Sequence, residues 1–171
     1  MKKKIFTLIF ITSIYLMVSC KLNSNPNKAK IVTSDVHHFW EAYDLASKDS
    51  INIYNIYKNH YFDKASDGME DYMRLKVSSI DYFINHLESH PKLYKTIKKN
   101  TLKVDDYKKD IQQSFQNFKK IYPEAKFPDV YFVMGAFTSG GTISSSGLLI
   151  GVNQISDGEN VDTDELDFGK K

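Results

Sequence analysis

The sequence predicts an α+β fold, with an N-terminal bundle of about five helices followed by a β-hairpin or strand pair. Three observations carry that expectation. Apolar residues recur at three- and four-residue steps between Ser34 and Tyr122. The run from Asp129 to Phe137 (DVYFVMGAF) is β-branched and aromatic with no helical spacing. A second apolar run, Leu148 to Val152, follows a stretch of small residues.

Before the body lies an export signal. Lys2, Lys3 and Lys4 precede an apolar run from Ile5 to Val18, and Ser19-Cys20 follows. A cationic start, a short apolar stretch and a small residue before the cleavage point make a secretory signal over residues 1–19. Fourteen apolar-run residues are too few for a comfortable membrane span, which takes roughly 20. Residues 20–33, beginning CKLNSNPNKAK, are polar and aperiodic, and read as a tether.

The body spans residues 34–156. Val36, Phe39, Trp40 and Tyr43 mark a first helix, capped by Ser34 or Asp35. A second helix starts near Asp49 or Ser50 and carries Ile53, Tyr54, Ile56 and Tyr57. Met69, Met73, Val77 (or Lys76), Ile80, Ile84 and Leu87 form one stripe, so a single helix is expected from about Asp67 to Ser89. Pro91 opens a short helix to Lys98. The last helix, about Asp105 to Tyr122, turns Ile111, Phe115, Phe118 and Tyr122 inward and stops at Pro123. The strands Val130–Phe137 and Leu148–Val152 pair as neighbours across a flexible connection, TSGGTISSSG. Residues 157–171 form an acidic tail.

Composition and spacing exclude several functions. One Cys rules out an internal disulfide framework and a Cys-based zinc finger. Only Arg74 is arginine, and Asp105, Asp106 and Asp110 interleave with the Lys pairs of the last helix, so nucleic acid is not a partner. His86 and His90 stand four apart, but Glu88 lies about 200° around the helix from His86, where it cannot serve a metal held by them. Both histidines are expected to face solvent, because Leu87 continues the core stripe. His37, His38 and His60 complete no site. The Gly- and Ser-rich connection has neither a phosphate-loop Lys nor a nucleophile-elbow context, and the acidic end lacks calcium-loop register. No catalytic residue and no metal ligand is assigned.

The stretch LMVSC (Leu16 to Cys20) resembles the lipobox of bacterial lipoproteins. That resemblance implies a lipid on Cys20 and a membrane partner reached through it; a plain signal peptide is the alternative. Removing residues 1–19 takes away three Lys and no acid, leaving 20 basic against 21 acidic groups. The formal charge of +2 thus belongs to the signal.

FWEAYD (Phe39 to Asp44), KIYPEAKFPDVYFVMG (Lys120 to Gly135), SGGT (Ser139 to Thr142), GLLIG (Gly147 to Gly151) and TDEL (Thr163 to Leu166) together resemble a family of exported zinc-dependent proteases of Bacteroidetes. Many of these are lipoproteins, distantly similar to gliding-motility lipoproteins of the same bacteria. The resemblance implies an incomplete zincin-like domain, because this sequence reaches Lys171 before the family's H-E-x-x-H helix. Zinc is then expected only in full-length relatives, no cofactor in this chain, and no activity from it alone. A non-enzymatic envelope lipoprotein that binds a protein partner or envelope component is the alternative.

Overall fold

The computed structural model describes residues 21–156, 158 and 160–166 of the chain. Residues 1–20, and with them the expected signal and Cys20, lie outside the described residues. The fold is α+β. Among the described residues, six helices of eight residues or more are α1 (Ser34–Ala46), α2 (Ile53–His60), α3 (Asp67–Lys76), α4 (Ile80–Ser89), α5 (Pro91–Thr101) and α6 (Tyr107–Ile121). A one-turn α7 (Val152–Ile155) follows the last strand.

The strands are β1 (Leu22–Asn23), β2 (Ile31–Val32), β3 (Phe127–Pro128), β4 (Val130–Val133), β5 (Gly141–Ile143) and β6 (Leu148–Gly151). One sheet has the order β2-β4-β6-β5, and β1 pairs with β3 in a second, two-stranded sheet. The expected neighbours β4 and β6 do pair, but in parallel, Val130 opposite Leu148 and Val133 opposite Gly151. The antiparallel hairpin lies instead between β5 and β6, with Ile143 opposite Leu148. Ser144 N–H donates to the Gly147 carbonyl (2.9 Å) and closes its turn. Gly147 has φ +155° there, and a Cβ on it would stand 2.1 Å from the Asp129 carbonyl oxygen.

Residues 21–33 are not a free tether. Lys21 N–H donates to the Ser145 carbonyl (3.1 Å), Leu22 sits opposite Pro128, and Ile31 and Val32 pair in parallel with Val130 and Tyr131. Asp129 reinforces the join, its Oδ1 accepting from Lys30 N–H (2.8 Å) and Asn23 Nδ2 (3.2 Å). Short polar segments of this kind satisfy their backbone by adding to an existing edge, a signal that composition does not carry.

The expected single helix over Asp67–Ser89 is two helices. Val77 is extended (φ −123°, ψ 119°), and the Ser79 hydroxyl accepts from Tyr82 N–H (3.0 Å) to cap α4. Ser66 caps α3 in the same way (3.3 Å), and its own N–H and hydroxyl donate to the buried Asp35 carboxylate at 2.9 and 2.5 Å. Asp35 therefore ties α1 to α3 and does not cap α1. Burial raises its pKa above the ordinary carboxylate value, with Ser66 opposing the shift.

The core lies between the sheet and α1–α5. Phe39 is fully buried at its centre, with ring centroids of Trp40, Tyr61, Tyr94, Phe83, Tyr43 and Tyr57 at 4.7 to 6.3 Å. The stripe residues Met69, Val77, Ile84 and Leu87 are buried as the spacing predicts. On α6 the expectation fails in part. Ile111 and Phe115 pack against the core, whereas Phe118 and Tyr122 are 52% and 54% exposed.

Candidate functional site

At the carboxyl ends of the parallel strands β4 and β6 the chain leaves the sheet without forming helix or strand, over Met134–Gly140. In open α/β sheets this end of the strands is where crevices form. Irregular backbone buried here needs partners for its N–H and C=O groups. Three buried tyrosines and one asparagine supply them. The Tyr61 hydroxyl donates to the Met134 carbonyl (2.6 Å) and accepts from Met134 N–H (3.1 Å). The Tyr94 hydroxyl and Asn153 Nδ2 donate to the Gly135 carbonyl at 3.1 and 3.0 Å. Asn153 Oδ1 accepts from Gly135 N–H (3.3 Å), and the Tyr72 hydroxyl donates to the Ser139 carbonyl (2.5 Å). Burial raises the pKa of all three phenols, so they remain donors at neutral pH. Each backbone group left unpaired would cost about 1–3 kcal/mol.

This scaffold holds Phe137 at φ +57°, a left-handed conformation that a bulky side chain adopts only when its surroundings enforce it. Gln154 Nε2 donates to the Phe137 carbonyl. The ring forms one wall of a crevice of about 350 Å³, whose apolar lining also includes Leu93, Ile97, Val161 and Leu166. Asn153, Gln154, Ser156 and Thr163 give it a polar rim. The outer wall comes from the segment expected to be a solvated acidic tail. Glu165 Oε2 accepts from Lys92 and Leu93 N–H (2.9 and 3.1 Å), the unpaired donors of the α5 N-terminus, and seats Val161 and Leu166 on the core.

His86 stands behind this wall, its ring 5.9 Å from Phe137 and 4.2 Å from His90. Both histidines are half-buried, contrary to the expectation that they face solvent. Pro91 ends α4 at His90, whose ring then folds back so that Nδ1–H donates to the His86 carbonyl (2.7 Å). Burial, with His90 as the second cause, lowers the His86 pKa from 6.5 to about 4, and its Nε2 is buried without a partner. The folded pKa lies below the unfolded one, so the unfolded chain binds the extra proton between those values. Stability should therefore fall as pH drops from about 6.5 towards 4. Urea midpoints measured across that interval should decline less steeply for His86→Gln than for the parent chain; equal slopes would contradict the assignment.

These histidines do not fit a zinc ion. His90 Nδ1 is committed to a carbonyl, and among the described residues no three His, Cys, Asp or Glu side chains come together to hold a metal. His37 and His60 are engaged by Asp105 (2.6 Å) and Glu41 (3.0 Å), far apart in the chain and half-exposed. The connection expected to be flexible is pinned by Asp71, whose Oδ2 accepts from Ser146 N–H (3.2 Å) and Oγ (2.7 Å), while Oδ1 pairs with Arg74 (2.7 Å). Burial alone would raise the Asp71 pKa, but donors from Arg74, Ser144 and Ser146 outweigh it and hold the carboxyl well below its usual range.

No motif of known chemistry marks the crevice residues: TDEL, which holds Thr163 and Leu166, stands out by resemblance alone, and no spacing singles out Tyr61, Tyr72 or Tyr94. The strand expected over Val130–Phe137 ends at Val133, and Gly135, with no side chain to pack, is the one local signal that it stops short of Phe137.

No helix among the described residues is long and apolar enough to cross a membrane. No curated protein and no solved structure matches the chain. A family model described as gliding motility protein GldB does match, over residues 20–160. That match takes in the helical body, both sheets and most of the crevice, and on it the chain belongs to this family of gliding motility lipoproteins.

Proposed function

We propose that the chain is a non-enzymatic lipoprotein of the cell envelope, anchored by a lipid on Cys20, that holds an apolar segment of a protein partner in the crevice beside Phe137. The observation that supports this reading most is the construction of the crevice. Strained backbone, three satisfied tyrosines and an acidic strap are spent on presenting apolar walls with a polar rim, a lining suited to binding. Membership of a gliding motility family agrees with a role in an envelope assembly. We read the kinship with zinc-dependent proteases as one of scaffold alone, because the sequence carries no H-E-x-x-H from which a zinc centre could be built. In that reading β4 and β6 support the crevice, and no reaction is assigned to the chain.

A photo-crosslinking residue at Thr163, on the rim, tests the binding role in living cells. One defined adduct is expected there, none from the same residue at exposed Asn55 on α2, and loss of the adduct with Phe137→Ala. Identical products from both positions, or no adduct from Thr163, would overturn the reading.

A further inference from the structure

Helices α1, α2, α4 and α5 meet around a second hollow, which shares no lining residue with the crevice. Ala46, Ile53, Leu87 and Pro91, one from each helix, give apolar walls to a volume of about 150 Å³ that opens to solvent. The carboxyl ends of α1 and α4 and the amino ends of α2 and α5 lie here, so their dipoles oppose one another and side chains set the charge. Ser47 is engaged, its hydroxyl donating to the Asp44 carbonyl (2.8 Å). The other polar lining residues, Tyr43, Tyr57 and Glu88, are not.

Tyr57 is only 2% exposed, yet its hydroxyl makes no hydrogen bond among the described residues. A phenol buried to that degree ordinarily has a partner. Burial raises its pKa, and Tyr43, Glu88 and Asp44 add to the shift; burial, with Asp44 and Glu165, does the same for Tyr43. Both phenols therefore stay neutral in a field of carboxylates. Glu88 itself has no ion pair or hydrogen bond among the described residues. An unpaired acid beside an unpaired buried phenol calls for a donor that carries positive charge. The chain holds one ammonium in such a setting already. Lys98 Nζ pairs with Asp44 and stands 5.4 Å from the centroid of the Trp40 ring, itself 5.2 Å from Tyr43. Glu88, with which no described lysine pairs, offers a second such seat.

We propose that the hollow binds a primary alkylammonium, and that its occupant is a lysine side chain presented by a protein partner. The apolar walls take the methylene stem, while Glu88 and the Tyr57 and Tyr43 phenolic oxygens accept from the ammonium. A hollow of this size takes a group about as large as benzene, which admits the lysine stem and crowds the longer, planar arm of an arginine. Because the hollow opens to solvent, the main chain that carries the lysine stays outside it.

Methyl NMR of the full chain in non-ionic detergent tests the site through Ile53 and Leu87. Nα-acetyl-lysine methylamide should shift both, with a dissociation constant on the order of millimolar. The norleucine counterpart, which lacks the charge, should bind at least about tenfold more weakly. Glu88→Gln should weaken the lysine probe about tenfold and Tyr57→Phe about threefold, neither lowering the thermal melt. The melt separates the roles of Tyr57, since removing a hydroxyl already bonded within the fold would lower it. Unshifted methyls, equal binding of the norleucine probe, an unaffected Glu88→Gln variant or a lowered Tyr57→Phe melt would overturn the site. Binding of n-butylamine without binding of the lysine probe would overturn lysine as the occupant. None of these residues lines the crevice, so the result stands apart from the crosslink at Thr163.

Discussion

Gly147→Ala is expected to destabilise the protein by about 3 kcal/mol or more. Two costs combine at this residue. Its φ of +155° is a conformation that L side chains rarely adopt, and the added Cβ would meet the Asp129 carbonyl oxygen at 2.1 Å. That oxygen cannot retreat, because it accepts from Leu148 N–H (2.9 Å) at the start of the β4–β6 ladder. The strain would therefore separate the two strands on which the crevice is mounted. Gly141→Ala is the matched control. It meets only the Leu149 carbonyl at an ordinary 3.5 Å and should change stability by no more than about 0.5 kcal/mol. Urea denaturation of the two variants beside the parent chain gives the comparison, and equal midpoints for both would contradict it.

Phe39→Ala should cost about 3–5 kcal/mol, a large share of the stability of a domain this size. The ring is fully buried where α1, α2, α4 and α5 converge, and its aromatic neighbours come from all four helices. They cannot collapse into the gap together, because Tyr61 and Tyr94 are tethered to the backbone of Met134 and Gly135 by their hydroxyls. The loss should thus reach the crevice as well as the core. Phe39→Leu, which leaves most of the volume filled, should cost about 1–2 kcal/mol. Thermal melts that rank the two variants equally would show that the site relaxes freely.

Helix existence was legible in the sequence wherever apolar spacing was strong. The stripe over Met69–Leu87 predicts the buried positions well, yet it conceals the break at Val77–Ser79. Two consecutive helices can share one stripe when the second begins on a Ser cap, and Ser79 carried that signal. Strand partners were legible, but not their direction. Direction was decided by the Ser144–Gly147 turn, which made β5 the antiparallel partner of β6 and left β4 parallel. The tip of α6 shows the opposite failure. Phe118 and Tyr122 fit an inward stripe by spacing, but beyond Phe115 the helix meets only the small cluster of Ala29, Ala125 and Phe127, which leaves both rings about half exposed.

The crevice was the least legible part. It arises from hydrogen bonds between residues far apart in the chain, such as Tyr61 with Met134 and Glu165 with Lys92, and from one strained residue, Phe137. Tyrosine on an apolar stripe reads as core whether or not its hydroxyl has a task. Polar composition likewise disguised residues 21–33 and 160–166 as free ends, although both are pinned by backbone pairing or by a helix-capping carboxylate.

Lipid attachment at Cys20 is the claim on which the proposed envelope role rests, and the chain is fastened to the fold from Lys21 onward. Growth with labelled palmitate tests it most directly. The parent protein should take up label and remain with the membrane fraction, and Cys20→Ala should take up none. An unlabelled parent protein, or label that persists in Cys20→Ala, would contradict the anchor.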